Sequence, residues 1–376
     1  MAEVGVRAGQ ASRDNAAVPA RVQIVNPPVA LTASANEGQE AGLSREWHAQ
    51  FPLSVRLTLL VHRRGPGDPT LRMDGSGVIW RTSLTPVGPA TLRLAPLGPA
   101  VGSVGSPAGG PAGDSVCSPV GGPAGGHLDG TEAAGIGALA WGPGAAWLLD
   151  MVPDLFGASD DPSAFQPDHP RLRELARQLA GLRISRTGRV LEALVPAVLE
   201  QKVVSVEAHR AWRRLLAWYG LPAPGPAPAG MRVFPPAATW QAIPSWDWHR
   251  AGVEAVRART IANAARVAGR LEEICALPGE EADVRLRSLP GIGPWTSAEI
   301  RQRACGDADA VSVGDYHIPA MVGWTLAGEV TDDAGMLELL APYVGQRYRA
   351  TRLIELGGEQ RPRRGPRMSI RDYRSI

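Results

Sequence analysis

The sequence predicts an α+β fold in which a small antiparallel β-sheet domain precedes a larger, mainly α-helical region. Two patterns predict this division. Apolar and polar residues alternate from Phe51 onward, which is typical of a sheet with one buried face. From His169 onward apolar residues instead recur every three or four positions, which indicates amphipathic helices. We therefore expect one sheet and one helical region within the 376 residues.

Composition divides the chain into four parts. Residues 1–44 are small, polar and without pattern, which predicts a disordered leader. Residues 45–155 carry the strand patterns, and a Gly/Pro-rich tract at 98–134 predicts a flexible insertion between them. Residues 156–358 form the all-helical region, which is followed by a basic tail at 359–376.

Individual elements follow from the same patterns. Strands are predicted at 53–59, 77–82, 90–95 and 137–141, with a short helix at 145–155. The segment 190–199 is apolar on most of its surface, which predicts a central helix. Ser205 is expected to cap the next helix and Gly220 to end it. No strand pattern interrupts 168–357. Six tryptophans of this region are expected in the core: Trp212, Trp218, Trp240, Trp246, Trp248 and Trp324.

A short glycine-rich turn separates two helical patterns. It reads Leu-Pro-Gly-Ile-Gly-Pro at 289–294, between helical spacing at 280–288 and at 295–304. Two glycines around one apolar residue let the backbone turn sharply and approach a partner closely. The amides of Gly291 and Gly293 would then point outward unpaired, and such amides attract an anion, most often a phosphate oxygen. Asp315 follows 22 residues after Gly293 (315 − 293), at the start of another helical pattern.

The segments LPGIGPWTS, at 289–297, and VGDYHIP, at 313–319, together resemble the helix-hairpin-helix (HhH-GPD) DNA glycosylase superfamily. They are most similar to its bacterial 3-methyladenine DNA glycosylase II branch. The resemblance implies a monofunctional enzyme that flips out an alkylated base, hydrolyses its N-glycosidic bond and leaves an abasic site. It also implies that Asp315 is catalytic and that the hairpin grips the DNA backbone. The implied DNA-binding residues of the hairpin are Leu289, Gly291, Ile292, Gly293 and Thr296.

Asp315 has a structural explanation beside the catalytic one. Aspartate is a favoured N-cap, so Asp315 could cap a helix that begins at Tyr316, with Pro319 tolerated in its first turn. In base excision, a carboxylate near the sugar stabilises the positive charge that develops as the glycosidic bond breaks, or helps a water molecule to attack. The two roles are compatible.

An enzyme of this type must hold the extruded base in a pocket. Trp295 and Tyr316 are the candidate walls, because aromatic faces favour an electron-poor alkylated purine. Their ordinary alternative is core packing. Gln201 is the candidate contact to the base or the flipped sugar, and Lys202 is either a DNA contact or a solvent-facing lysine.

Two glutamates depart from the methyladenine pattern. Glu299 lies one turn after Trp295, and Glu355 lies on the last predicted helix; the resembling branch carries aromatic residues at about these places. If both glutamates face the pocket, the site is more polar and acidic. If they face solvent, they are ordinary helix surface.

Lysine and cysteine usage argues against two chemistries. Lys202 is the only lysine, and Trp295 stands where superfamily members that also cut the backbone carry a Schiff-base lysine, so no lyase activity is expected. Cys117, Cys275 and Cys305 are too few for a four-cysteine iron–sulfur cluster. Their scattered positions predict no metal site and no disulfide, hence a reducing cytosol. The only ion expected is a monovalent or divalent one held by hairpin carbonyls.

The net charge of +2 indicates no global attraction to nucleic acid, and the basic excess is concentrated in the arginines of the tail. The expected partner is double-stranded DNA with damaged bases, bound by a monomer. No apolar run reaches the ~20 residues of a membrane helix, so we expect no membrane partner and a cytoplasmic, nucleoid-associated bacterial protein. Two alternatives stay open: a non-catalytic HhH DNA-binding protein, and a glycosylase for deaminated or mismatched bases.

Overall fold

The computed structural model describes residues 32–34, 42–98 and 133–359. They belong to one compact unit that begins at Leu31. Most of the predicted leader, all but the ends of the 98–134 insertion, and all of the tail after Glu359 lie outside the described residues.

The sheet is antiparallel throughout its described strands, in the order β1-β2-β6-β5-β4-β3. The strands are β1 (Thr32–Ser34), β2 (Gly42–His48), β3 (Leu71–Met73), β4 (Ile79–Thr85), β5 (Gly88–Leu97) and β6 (Gly135–Trp141). Pairing of β5 with β6 brings together strands that flank the predicted insertion, with Leu97 opposite Gly135. The predicted sheet is thus confirmed, although β2 begins inside the predicted leader.

The strand predicted at 53–59 is wrong. The chain there forms α1 (Val55–Leu59), whose first turn is capped by Ser54, with Oγ accepting from the Leu57 amide. Val55 and Leu59 pack into the core beneath the sheet, whereas Leu57 packs into a different core formed by the last helices. In a strand, Val55, Leu57 and Leu59 would all lie on the same face. Because these side chains are buried in two different cores, the segment forms a helix.

Helices make up most of the remaining chain. They are α2 (Ala145–Asp150), α3 (Val152–Leu155), α4 (Pro170–Gln178), α5 (Val190–Leu199), α6 (Ser205–Tyr219), α7 (Ala237–Ala242), α8 (Ser245–Ala251), α9 (Ala255–Arg266), α10 (Ala268–Glu272), α11 (Gly279–Arg287), α12 (Pro294–Ile300), α13 (Ile318–Leu326), α14 (Asp333–Leu340) and α15 (Arg347–Gly357). The predicted α+β class is confirmed.

Helix α5 lies at the centre of the helical region, as its apolar composition predicts. All of its residues except Glu192 are buried, and it contacts α6, α9, α10 and α12. Glu192 is directed toward the sheet, where it accepts hydrogen bonds from Ser83 Oγ at 2.9 Å and from the Leu84 amide at 2.6 Å. The helix therefore joins the sheet to the elements that carry the candidate site.

Two details of the helical region differ from prediction. The segment after Gly220 contains a two-stranded ribbon, β7 (Leu221–Pro222) and β8 (Arg232–Val233), which is anchored by a bond from Thr82 Oγ1 to the Arg232 carbonyl at 2.6 Å. Strands this short leave no periodicity to read. Ser205 is not a cap but the first residue of α6; the N-cap position is Val204, which has no capping side chain.

The expectation of no disulfide is also wrong, because Cys275 and Cys305 are disulfide-bonded. Cys275 lies in a 3₁₀ turn (Glu273–Ala276) after α10, and Cys305 ends a π-helical turn (Arg301–Cys305) after α12. Packing of these turns brings two Cα atoms that are 30 residues apart to 4.6 Å. The argument from cysteine usage for a reducing compartment therefore loses its basis.

The tryptophans divide between core and surface. Trp212, Trp240 and Trp248 are buried as predicted, but Trp246 is 66% exposed and Trp218 is 41% exposed, with its ring under the Arg250 guanidinium. Within the described part of the chain, no helix is both long and apolar enough for a bilayer crossing.

Candidate active site and DNA interface

The glycine-rich turn connects α11 to α12, as predicted, and its two glycines serve different purposes. Gly291 has φ +91°, and a Cβ there would collide with the Thr260 hydroxyl of α9, so the fold itself requires glycine. Gly293 has an extended backbone, and a Cβ there would meet no atom within 4 Å. Nothing in the protein therefore explains the absence of a side chain at Gly293.

Three contacts hold this hairpin rigidly against the helical core. Ile292 is buried beside Leu286 of α11, and Leu289 packs partly against the same core. The Ile292 amide donates to the Leu289 carbonyl at 3.1 Å. Within the described chain the amides of Gly291 and Gly293 have no acceptor. The turn thus presents unpaired amides on a fixed support, which suits an anionic ligand.

Gln201 and Thr296 fix the hairpin from within. The Gln201 side-chain amide donates to the Gly291 carbonyl and to Thr296 Oγ1, each at 2.9 Å. Thr296 is buried, so its hydroxyl lies inside the protein and not on the predicted DNA-binding surface. Gln201, predicted to contact the base or sugar, has its amide nitrogen directed to the hairpin. The structure therefore brings both predicted residues together as supports of the turn.

Asp315 lies half-buried between the hairpin helix and the start of α13. Its Oδ1 accepts from the amides of His317, at 2.7 Å, and Ile318, at 3.0 Å. Its Oδ2 accepts from Trp295 Nε1 at 3.0 Å. The N-cap of α13 is His317 and the helix begins at Ile318, so Asp315 is not at the predicted N-cap position, although its carboxylate accepts from amides at the start of that helix. Because Trp295 holds the second oxygen, the carboxylate is also aligned with the hairpin.

Tyr316 and Lys202 lie on the surface. Tyr316 is 89% exposed and its ring contacts only the edge of His317, with 4.8 Å between ring centroids. The structure does not bring it beside Trp295 as a second pocket wall. Lys202 is exposed and has φ +55°, which is unusual for a residue with a Cβ. Since Gln201 binds the hairpin, Lys202 is presented next to that turn.

Glu299 and Glu355 are not ordinary helix surface, because Glu299 is buried in one ion pair and Glu355 is half-buried in another. The Glu299 carboxylate is ion-paired with Arg303 Nη1 at 2.7 Å and accepts a hydrogen bond from Ser312 Oγ at 2.7 Å. Glu355 on α15 accepts from Arg352 Nη1 at 2.9 Å. The sequence contains a signal for both pairs, because Glu299 and Arg303 are four positions apart and Arg352 and Glu355 are three positions apart. Such spacing in a helix most often indicates an exposed pair.

A second set of buried charges lies behind the first, and sequence reasoning missed it. Arg64 donates to both Glu200 oxygens, at 3.1 and 3.2 Å. Burial acts to raise the pKa of Glu200, but Arg64 and His209 outweigh burial and lower that pKa to about 2. A cavity of about 40 Å³ lies beside these groups, lined by His62, Arg64, Arg303 and other residues. That volume accommodates a few water molecules and is too small for a base.

The electrostatic field in this interior is set by arginines. Burial lowers the pKa of His62 well below its usual value, and four nearby guanidinium groups lower it further. They belong to Arg64, Arg81, Arg303 and Arg352. His62 is therefore neutral near pH 7, and its Nε2 lies 2.8 Å from Ser185 Oγ.

Metal ligands are not grouped in the described part of the chain, where no three His, Cys, Asp or Glu side chains are arranged to hold an ion. One hairpin carbonyl, that of Gly291, is already occupied by Gln201. An ion held by the remaining hairpin carbonyls stays a prediction.

Known proteins match this chain over part of its sequence and over most of its fold. No family model matches the chain. Two curated relatives from Mycobacterium tuberculosis strains, each named "Probable bifunctional transcriptional activator/DNA repair enzyme AlkA", are 34% identical over 150 residues. The match spans 39% of this chain and 29% of each relative.

Solved structures show the same fold over a larger part of the chain. A 3-methyladenine DNA glycosylase from Archaeoglobus fulgidus superposes with a TM-score of 0.61 at 15% identity, covering 83% of this chain and 96% of that one. The 8-oxoguanine glycosylase/lyase of Clostridium acetobutylicum, in its apo form, superposes with a TM-score of 0.58 at 12% identity, covering 86% and 97%. Both the sheet and the helical region therefore have counterparts in known structures.

Proposed function

We propose that this chain, which has the fold of the helix-hairpin-helix DNA glycosylases, is a monofunctional DNA glycosylase that hydrolyses the N-glycosidic bond of a damaged base. The observation that carries the proposal is the hydrogen bond from Trp295 to Asp315. It joins the helix that begins at the hairpin to a carboxylate whose other oxygen is fixed by backbone amides. A surface suited to phosphate and a group suited to a cationic transition state are thus held in one rigid arrangement.

DNA binding is assigned to the hairpin. The amides of Gly291 and Gly293 would donate to phosphate oxygens, and the open space above Gly293 would let the backbone of the duplex come close. Lys202, exposed beside the turn, would add a cationic contact to the DNA. These contacts carry no sequence information, so they would position any duplex while the damaged nucleotide is flipped out.

Asp315 is assigned to the chemical step. As the N-glycosidic bond breaks, its electron pair leaves with the base and C1′ of the sugar becomes electron-poor. The negative charge of Asp315 would stabilise this oxocarbenium-like state, and a water molecule would add to C1′ and lose a proton, leaving an abasic site. The amide and indole donors fix the orientation of the Asp315 carboxylate.

The absence of lyase activity is proposed from the lysine content. A glycosylase that also cleaves the backbone needs an amine to form a Schiff base with the sugar. Lys202 is the only lysine of the chain and does not lie on α12, where Trp295 occupies the site next to the carboxylate. Hydrolysis by water is therefore the reaction that these residues support.

Alkylated bases are the first substrates to test, because the names of the relatives refer to AlkA and to 3-methyladenine. The polar residues behind Trp295 favour a second candidate, a deaminated base, since no second aromatic wall faces that indole among the described residues. A non-catalytic DNA-binding protein is the competing function; it would need Asp315 only for the hydrogen bonds at the start of α13 and not for the chemistry. We propose a monomeric, cytoplasmic protein associated with the nucleoid.

The experiment is incubation with methylated duplex DNA, followed by chromatography of the freed bases. Release of free base with abasic sites and no strand cleavage would support the proposal. Binding of the same DNA without release of any base, from methylated or deaminated duplexes, would leave only the DNA-binding function.

A further inference from the structure

Asp315 is the last residue of a tight β-turn at 312–315. Its amide donates to the Ser312 carbonyl at 3.1 Å, which closes the turn. Gly314, the third residue, has φ +91°, as in a type II turn. Ser312, the first residue, is only 1% exposed, so the turn extends from the interior to the half-buried carboxylate. The place of that carboxylate therefore depends on what holds Ser312.

Helix α12 and the π-helical turn that continues it hold both ends of this β-turn. Trp295 Nε1 donates to Asp315 Oδ2 at 3.0 Å. Four residues later, Glu299 accepts from the Ser312 hydroxyl at 2.7 Å. Three residues further on, the Gln302 side chain donates to the same hydroxyl at 2.9 Å. Side chains at these spacings lie on one face of a helical segment. A single face, which begins at the hairpin, thus contacts the first and the last residue of the β-turn.

The hydrogen bonds behind the serine hydroxyl form a closed network. The Gln302 amide also donates to the Ala310 carbonyl at 2.8 Å. Arg303 Nη1 donates to Gln302 Oε1 at 3.4 Å and is ion-paired with Glu299 at 2.7 Å. Glu299 and Gln302 are both buried. A fully paired polar network restricts its members to one arrangement, whereas a buried ion pair adds little stability compared with apolar packing. What this network supplies is therefore a fixed position for the β-turn.

We propose that Glu299 and Gln302 are positioning residues: through the buried Ser312 hydroxyl they fix the backbone from which the catalytic carboxylate extends. The inference rests on the proposed glycosylase function and adds residues to its chemical step. A carboxylate stabilises an electron-poor C1′ only from the correct place, and a misplacement of about 1 Å costs about 100-fold in rate. Trp295 orients the carboxylate of Asp315, and the network places the main chain that carries it.

The hairpin is held by other contacts. Gln201 donates to the Gly291 carbonyl and to Thr296 Oγ1, and Ile292 is buried in the core. Loss of the Ser312 hydroxyl should therefore slow base release without weakening the binding of DNA. That separation is the signature of a positioning role, because a general loss of structure would reduce both.

The test is single-turnover base release, with the dissociation constant measured on the same duplex. The duplex is methylated, or deaminated if only that one is a substrate. Ser312→Ala is expected to slow release about tenfold and to keep the dissociation constant within about twofold. Ser83→Ala is the matched control, because the buried Ser83 hydroxyl also donates to a glutamate, Glu192, at 2.9 Å. It should lower the urea midpoint to a similar extent and leave release within about twofold.

A double-mutant cycle identifies the group through which Ser312 acts. In the Asp315→Asn background, Ser312→Ala should change base release by less than about twofold, because the charge that it positions is already absent. If Ser312→Ala fails to fold, Gln302→Met keeps the length of the side chain, removes its amide and should reproduce the tenfold loss.

Three outcomes would overturn the positioning role: release at the wild-type rate in Ser312→Ala and Gln302→Met, equal losses of release and affinity, or a full tenfold loss in the Asp315→Asn background. In each case, release by the wild-type protein would still support the glycosylase function. No release by the wild-type protein from any methylated or deaminated duplex would overturn both.

Discussion

We expect alanine to have opposite effects on stability and DNA binding at the two hairpin glycines. Alanine at Gly291 must adopt a φ of +91° and must displace the Thr260 hydroxyl from the position of its Cβ. Left-handed backbone costs about 1–2 kcal/mol for a residue with a Cβ, and crowding in a packed site adds about 1–3 kcal/mol. We therefore expect Gly291→Ala to lower the free energy of unfolding by roughly 2–5 kcal/mol.

Alanine at Gly293 meets neither obstacle. Its backbone is extended and the Cβ position is open, so stability should be unchanged or slightly higher, by up to about 1 kcal/mol, since alanine reduces the entropy of the unfolded chain. The new methyl group would nevertheless stand between the hairpin amides and an approaching phosphate. Loss of one such contact, about 1–2 kcal/mol, should weaken DNA binding by about 5- to 30-fold.

Urea unfolding measures the free energy of unfolding, and fluorescence anisotropy with a labelled duplex measures the affinity for DNA. Gly293→Ala should weaken binding to undamaged and damaged duplexes equally, because phosphate contacts carry no information about the lesion. Gly269 is an exposed residue of α10 where a Cβ also meets nothing within 4 Å, so Gly269→Ala is the matched control. Unchanged affinity in Gly293→Ala would refute the assignment of the hairpin as the phosphate site.

Three further predictions concern the disulfide, the buried charges and the lysine. Cys275→Ser should lower the free energy of unfolding by about 3–4 kcal/mol, as expected for a crosslink across 30 residues; equal urea midpoints with and without reductant would contradict the disulfide. The pKa of Glu200 is lowered to about 2 from an ordinary 4.5. The charged carboxylate therefore stabilises the folded protein above about pH 4.5, and this stabilisation is lost as the pH falls toward 2. The gap in unfolding free energy between wild type and Glu200→Gln, up to about 3 kcal/mol at pH 7, should therefore narrow at pH 3, and a constant gap would refute the assignment. Borohydride treatment during turnover should trap no protein–DNA crosslink, whereas a crosslink mapped to Lys202 would establish lyase activity.

Local sequence signals predicted the elements that position the site. The hairpin, the apolar helix α5 and the helix after Pro294 each depend on residues within a few positions of one another, so glycine placement and apolar spacing were sufficient. Asp315 was identified because its distance from the hairpin matched a known pattern. Hydrogen bonds from amides at the start of a helix were predicted for Asp315, whereas the bond from Trp295 was not, and the catalytic role stays a prediction.

Features that depend on distant residues could not be predicted in the same way. The segment at 53–59 alternates like a strand, but its apolar side chains are shared between two cores that only the folded chain defines. Cys275 and Cys305 are adjacent only because two turns pack together. The pair Arg64–Glu200 joins residues 136 positions apart. Apolar spacing predicts one helix or strand at a time, so it does not predict the contacts between elements.

The most direct test of the proposed mechanism is the comparison of Asp315→Asn with Asp332→Asn. Both aspartates accept hydrogen bonds from backbone amides at the start of a helix, Asp315 at α13 and Asp332 at α14, so asparagine preserves the cap in each. Asp315→Asn removes the charge that we propose to lie beside the sugar, and its Nδ2 cannot accept the hydrogen bond from Trp295 Nε1. It is expected to keep the dissociation constant for damaged duplex within about threefold and to slow single-turnover base release by about 100-fold or more, whereas Asp332→Asn should change neither. Base release at the wild-type rate in Asp315→Asn would contradict the mechanism.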